Sequence, residues 1–174
     1  IATSLNDGLL AVNDIFNDKF GSGCELVIEE FMDGEEASYF VFTDGTNYIP
    51  LSSAQDHKRI GDGDTGPNTG GMGAYSPAPV FTKEIQKQVD QEMIEPTLKA
   101  MRDLGSPYQG ILYAGVMIKN NKAKLVEYNV RFGDPECQVL MLRLKSDIVD
   151  LILGTINGNI SSIRTNWEEN HAAT

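Results

Sequence analysis

Cysteine is scarce: Cys24 and Cys137 are the only two in 174 residues. So widely spaced a pair forms no metal-binding pattern and no disulfide framework, and a reducing cytoplasm is the default compartment. Histidine occurs twice, and nothing around His57 assembles a nucleophile–His–acid triad, so that hydrolytic chemistry has no support. No run approaches the roughly 18 apolar residues that a membrane span requires, and no charged-then-apolar leader opens the chain. Positive charge is short as well, with 14 lysines and arginines against 25 acids and a net charge of −11, which argues against a nucleic-acid surface.

What is present is an ordinary globular composition, 41% hydrophobic and 22% charged, in a chain long enough to bury a core. The acidity is uneven. Residues 1–36 hold nine acids and one base, a net −8 that leaves −3 for the rest. Such a cluster serves either as a solvated face or as a cation site. A start on Ile1 and a stop at Thr174 read as a fragment of a longer chain, with Ile1-Ala2-Thr3 as the tail of a strand.

Leu5, Leu9, Val12, Phe16 and Phe20 recur at helical spacing, with Ser4 as N-cap and Gly21 as stop. Strands are predicted at 25–31 and 37–43 around the Asp33-Gly34 turn, and near 47–51 after a second turn, Asp44-Gly45. Six glycines between Gly61 and Gly73 predict a long irregular loop, mobile until a ligand orders it. A helix from Thr82 carries Ile85, Val89, Met93 and Met101 on one side, with a kink at Pro96 and an end at Gly105. Strands at 110–118 and 123–130 flank an Asn120-Asn121 turn. Asp134-Pro135 reads as cap and first residue of a helix, and Ser146 as the cap of another that runs towards Gly158. Hairpins interspersed with helices predict an α+β fold with an antiparallel sheet, packed helices and a glycine-rich loop.

Three segments carry chemistry. Along a strand through Leu125–Glu136, the period of two puts Glu127, Asn129 and Arg131 on one face, with Tyr128 and Val130 turned to the core. A carboxylate and an amide oxygen suit Mg²⁺, and an arginine beside them suits a transferring phosphoryl group. By itself such a triplet also fits the wet side of an amphipathic strand. The acidic turn Asp134-Pro135-Glu136 tilts the balance towards function. The second segment, Glu29-Glu30-Phe31-Met32-Asp33-Gly34-Glu35-Glu36, fits either an adenosine site or an exposed acidic turn. The third runs from Gln55-Asp56-His57-Lys58-Arg59 into Thr65–Gly73. Glycines let backbone N–H groups approach an anion, and Lys58 and Arg59 bring positive charge, although no G-x-x-x-x-G-K-[ST] loop is present.

Taken together, VIEEFMDGEEAS, SAQDHKRIGDGDTGPNTGGMGAYSPAP, YAGVMI and EYNVRFGDPECQ, in this order, resemble the glycinamide ribonucleotide synthetase family of ATP-grasp ligases over roughly residues 1–165. The resemblance implies a partial ATP-grasp domain over 1–165 and a truncated linker at 166–174. The phosphate-loop half and the N- and C-terminal domains would be partners supplied by the same polypeptide. It implies ATP and Mg²⁺ (or Mn²⁺) as cofactors, glycine and 5-phosphoribosylamine as substrates, and a part in purine biosynthesis. Glu29, Glu30, Phe31 and Met32 would meet adenine, and Glu36 the ribose. Glu127 and Asn129 would hold the metal, and Arg131 an anion near the transferred phosphate. Lys58 and the loop Asn68, Thr69, Gly70, Gly71, Met72 and Gly73 would face the substrates, with Asp134 at glycine or the amine. Many ATP-grasp enzymes carry a further metal-binding acid about twelve residues before the E-x-N motif, where this chain has Gly115. Two alternatives are an ATP-grasp carboxylate–amine ligase with another substrate and a non-catalytic nucleotide-binding module.

Overall fold

The computed structural model describes residues 1–174 apart from Thr3, Phe20, Cys24 and Asp64, so the parts of the sequence reading that rest on those four lie outside the described residues. The chain divides into two compact units, Ile1–Met32 and Asp33–Thr174.

In the first unit, Ser4 caps helix α1 (Leu5–Phe16) by accepting from the Asp7 amide at 3.1 Å, as the sequence predicts. The helix stops short of Gly21. Asn17 caps its C-terminus, and Asp18 takes a left-handed φ of 61° that breaks the run four residues early. None of its described side chains is buried. The strand predicted at 25–31 does not form, and Asp33-Gly34 therefore turns no hairpin. A strand exists only by pairing, and no ladder partner lies beside this segment among the described residues.

The second unit is built on an antiparallel sheet. Its strands are β1 (Glu35–Asp44), β2 (Tyr48–Asp56), β5 (Ala74–Ser76), β6 (Gln109–Lys119), β7 (Lys122–Asn129) and β8 (Ala172–Ala173), in the order β7-β6-β1-β2-β5-β8. Two tight turns organise its centre. At Asp44-Gly45 the Asp44 carboxylate accepts from the Thr46 and Asn47 amides at 2.9 and 2.7 Å, closing β1 onto β2. Asn120 and Asn121 both take positive φ, 52° and 57°, which matches the twist of the β6–β7 hairpin. The predicted loop at 61–73 contains a small hairpin of its own, β3 (Arg59–Gly61) against β4 (Thr65–Asn68).

One face of the sheet is covered by a broken helix: α2 (Lys83–Val89), a π-helical turn (Asp90–Ile94) and α3 (Glu95–Asp103). Pro96 produces this break as predicted, since it offers no N–H to the preceding turn. Ile85, Val89, Met93, Ile94 and Leu98 pack there on Ala37, Tyr39, Val41, Leu112, Ala114, Val116 and Ile118. The helix ends with Ser106 N–H donating to the Met101 carbonyl and Gly105 N–H to that of Arg102, both at 2.9 Å, a Schellman closure.

The other face is covered by α4 (Glu136–Arg143) and α5 (Ile148–Ile156), which bury Val139, Leu140 and Leu151 on Phe40, Phe42, Leu51 and Tyr113. Both helices begin one residue later than predicted. Pro135 occupies the α4 cap position while the Asp134 carboxylate accepts from Gln138 Nε2 at 2.8 Å. Asp147 caps α5, because Ser146 Oγ is engaged by the Asn166 amide at 2.7 Å. Residues 166–174 run along this layer. Buried Arg143 donates to the carbonyls of Asn170 and Glu168 at 3.0 and 2.9 Å, and β8 adds the last strand to the sheet.

Candidate functional site

Within the Asp33–Thr174 unit, α4 and α5 cover only part of the second face. At the end of the sheet away from the Asp44-Gly45 turn, register places polar residues side by side. Ser38 on β1 lies opposite Ala54 on β2 and Gly115 on β6, and Gly115 lies opposite Glu127 on β7. Cross-strand partners share a face, as do residues two apart along a strand. Glu36, Asp56, Glu127 and Asn129 therefore occupy this same side.

Glu127 gets there through a β-bulge. Val116 pairs with Leu125 but Gly115 with Glu127, so Val126 is the extra residue on β7. Without it, Ala123, Leu125, Glu127 and Asn129 would all point into the α2–α3 layer. With it, Ala123 and Leu125 pack in that layer, and so does Tyr128. The bulge flips the parity and sends the two polar residues to the opposite side. Asn129 Nδ2 donates to Glu127 Oε1 at 3.0 Å. Gly115 makes room, since a Cβ there would already touch the Glu127 Cγ at 3.4 Å. Tyr128 is anchored the other way, its hydroxyl donating to the Met93 carbonyl at 2.9 Å and bonded to Thr97 Oγ1 at the same distance.

The predicted row ends there. β7 stops at Asn129, so alternation does not reach Val130 or Arg131. Val130 is 70% exposed rather than in the core. Arg131 is exposed and donates to the Phe132 carbonyl at 2.9 Å, and it is not drawn into a row with Glu127 and Asn129.

Lys58 faces this patch. Its Nζ bonds Glu36 Oε1 at 2.6 Å, each side chain about one-third exposed, at 31% and 33%. Burial pulls the Lys58 pKa down, but Glu36, then Asp56 and Glu127, pull harder and raise it. The expected substrate loop is tied to the same strand end. Thr69 donates to the Lys58 carbonyl through its N–H at 2.7 Å and its hydroxyl at 2.8 Å, and Met72 N–H donates to the His57 carbonyl at 2.8 Å. Gly71, at φ 133°, presses on the Asp134-Pro135 turn, where a Cβ would lie 2.6 Å from Pro135 Cδ and 3.0 Å from Asp56 Oδ1. Residues 69–73 are thus held at the patch, whereas Asn68 belongs to the exposed β3–β4 hairpin.

Three participants, Glu136, Asp56 and Ser38, were assigned no individual site role from the sequence. Glu136 is 2% exposed and accepts from Ser38 Oγ and Tyr113 OH, both at 2.9 Å. Asp56 is half-buried, with Oδ1 unpartnered among the described residues. Burial first, then the Glu136 charge, push its pKa up to about 6 against the opposing pull of Lys58. The signal for Glu136 and Asp56 was their place in the two motifs. The signal for Ser38 was an isolated polar residue within an apolar strand.

Glu29, Glu30, Phe31 and Met32 lie in the Ile1–Met32 unit on irregular backbone; Phe31 is 69% exposed and Met32 half-buried. Asp134 is exposed beside Gln138.

The donors fit a hard divalent cation. A carboxylate and a side-chain amide sit in contact on an open face, and turning the Asn129 amide over presents its oxygen instead of its nitrogen. Among the described residues no group of three or more His, Cys, Asp or Glu is placed to hold a metal.

The antiparallel sheet and its packed helices form part of an ATP-grasp domain, as the family match and the solved structures show. The biotin carboxylase domain of a thermophilic 2-oxoglutarate carboxylase shares the fold at a TM-score of 0.60 and 17% identity, over 98% of this chain and 37% of that one. Residues 1–137 match the family model "Phosphoribosylglycinamide synthetase, ATP-grasp (A) domain", and the chain belongs to that family. A phosphoribosylamine–glycine ligase of Vigna unguiculata is 55% identical over 99% of this chain and 57% of its own length. One from Brucella melitensis is 53% identical over 100% and 41%. The crystal structure of the Thermotoga maritima phosphoribosylamine–glycine ligase superposes with a TM-score of 0.79 at 32% identity, over 89% of this chain and 40% of that one. This chain therefore spans about one-third to three-fifths of the length of the curated relatives it matches.

Proposed function

We propose that this chain is part of the ATP-grasp domain of a ligase that joins 5-phosphoribosylamine to glycine. In that reaction the γ-phosphoryl group of ATP passes to the glycine carboxylate, giving glycyl phosphate and ADP. The amine of phosphoribosylamine then attacks the acyl carbon, and phosphate leaves as glycinamide ribonucleotide forms. The observation that carries this reading is identity above 50% along essentially the whole chain to proteins bearing that name.

On this reading Glu127 and Asn129 hold Mg²⁺ or Mn²⁺, which would neutralise charge on the transferring phosphoryl group. Glu36 takes the ribose, and Glu29, Glu30, Phe31 and Met32 take the adenine. Lys58 and the segment from Asn68 to Gly73 face the substrates, Arg131 meets an anion, and Asp134 the glycine or the amine. Residues 1–165 are the partial ATP-grasp domain, and 166–174 lead towards the rest of the polypeptide. Cytoplasmic residence rests on the scarcity of cysteine. Among the described residues no helix is long and apolar enough to cross a membrane.

The test uses the full-length parent. ADP release should require glycine, and formation of glycinamide ribonucleotide should require both glycine and 5-phosphoribosylamine. The 174-residue chain alone should release no ADP, because phosphoryl transfer depends on groups placed on both sides of the nucleotide. No glycinamide ribonucleotide from the parent with ATP and both co-substrates present would refute the assignment.

A further inference from the structure

Lys58 is a cation that the structure pairs with this acidic face. It reaches across from the end of β2 to Glu36 at 2.6 Å, and Asp56 and Glu127 add their attraction. Among the described residues Glu127 is met by the Asn129 amide N–H and by no direct ion pair. Lys58 and Glu36 are both partly open to water, so the pair can separate without a void opening beneath it. A metal ion at Glu127 would add positive charge to the field that now holds the ammonium.

We propose that Lys58 is an exchangeable counter-ion of this face: it neutralises the carboxylates while no metal is bound, and a divalent cation arriving at Glu127 and Asn129 weakens its hold on Glu36 and frees it. Metal and Lys58 then compete. Arrival of the metal and release of a mobile ammonium towards the substrates become one event. The inference rests on the metal reading of Glu127 above and extends it to a residue that touches no metal.

Mn²⁺ titration of the 174-residue chain without nucleotide, followed by electron paramagnetic resonance, tests it. Lys58→Met should bind Mn²⁺ more tightly by about three- to tenfold, the range expected for removing one partly screened positive charge nearby. Lys58→Arg, which keeps the charge, should stay at the wild-type affinity. Unchanged or weaker binding by Lys58→Met, or no Mn²⁺ binding by it, overturns the proposal. Glu127→Gln separates the two ideas. If it abolishes binding while Lys58→Met changes nothing, the metal reading stands and the counter-ion falls; if it leaves binding intact, the metal reading itself fails and takes the counter-ion with it. A second measurement needs no variant. With Mg²⁺ added to the wild-type chain, acetylation of Lys58 should rise several-fold relative to Lys99, which is paired with Asp103 away from the site. Equal labelling with and without Mg²⁺ also overturns the proposal.

Discussion

The two faces of the six-stranded sheet have been put to different uses. The face under α2 and α3 is apolar along its length, and its side chains from Ala37 to Ile118 sit in one continuous core. The opposite face is apolar only where α4 and α5 lie on it; beyond Phe40 and Tyr113 it carries Ser38, Glu36, Asp56 and Glu127 instead. The first face supplies stability through area removed from water. The second keeps carboxylates in half-open surroundings, where they interact strongly but can still exchange partners with a ligand. The bulge at Val126 and the missing side chain at Gly115 let a single strand, β7, serve both faces.

The largest expected effect lies on the open face. If Glu127 holds the metal that offsets phosphoryl charge, Glu127→Gln in the full-length parent should lower turnover by about 100-fold or more. Its stability should move by less than about 0.5 kcal/mol, because Glu127 is exposed and leaves no cavity. Normal turnover would break the assignment, and a large stability loss would mean that the open face also holds the fold together. The mirror experiment is Leu98→Ala on the covered face, where the side chain is 2% exposed. It should cost about 3 kcal/mol in urea unfolding, from lost burial and the cavity left behind. The Mn²⁺ affinity of the chain should be unchanged. A parallel loss of metal affinity would show the two faces to be coupled.

Much of this division can be read from the sequence where the signal is local. Ser4, Thr82, the Asp44-Gly45 and Asn120-Asn121 turns and the Pro96 break all act within a few residues, and each has its predicted consequence in the structure. Failures occur where the deciding partner is remote. Residues 25–31 have strand composition but no ladder to join. Val130 and Arg131 fall beyond a strand end that pairing with β6 sets. The Thr69–Gly73 segment looks free in sequence, yet it is held by the His57 and Lys58 carbonyls. The alternation argument reaches the right face for Glu127 and Asn129 but misses the bulge, whose cause lies on the neighbouring strand. Glu136 reads as part of an acidic turn, and only the fold brings it to Ser38, 98 residues away.

The smallest effect sharpens the comparison, because it asks whether the open face carries a standing cost. Asp56 is held with Oδ1 unpartnered among the described residues, and burial together with the Glu136 charge lifts its pKa from 3.8 to about 6. A folded-state value above the unfolded one means that folding favours the protonated acid. That contribution is fully present below 3.8 and is lost as pH rises through about 6, leaving an ionised Asp56 that destabilises the fold at higher pH. A side-chain amide in its place would carry no charge at any pH. Asp56→Asn should therefore stabilise the chain by about 1 kcal/mol near pH 8, a figure reduced for partial solvent screening, and by much less near pH 4. Urea unfolding of both proteins at the two pH values measures the difference. An equal gain at both would trace the effect to packing rather than charge. A loss at pH 8 would mean that ionised Asp56 contributes more to holding Lys58 than it costs through burial and repulsion from Glu136, so that the open face, like the covered one, stabilises the fold.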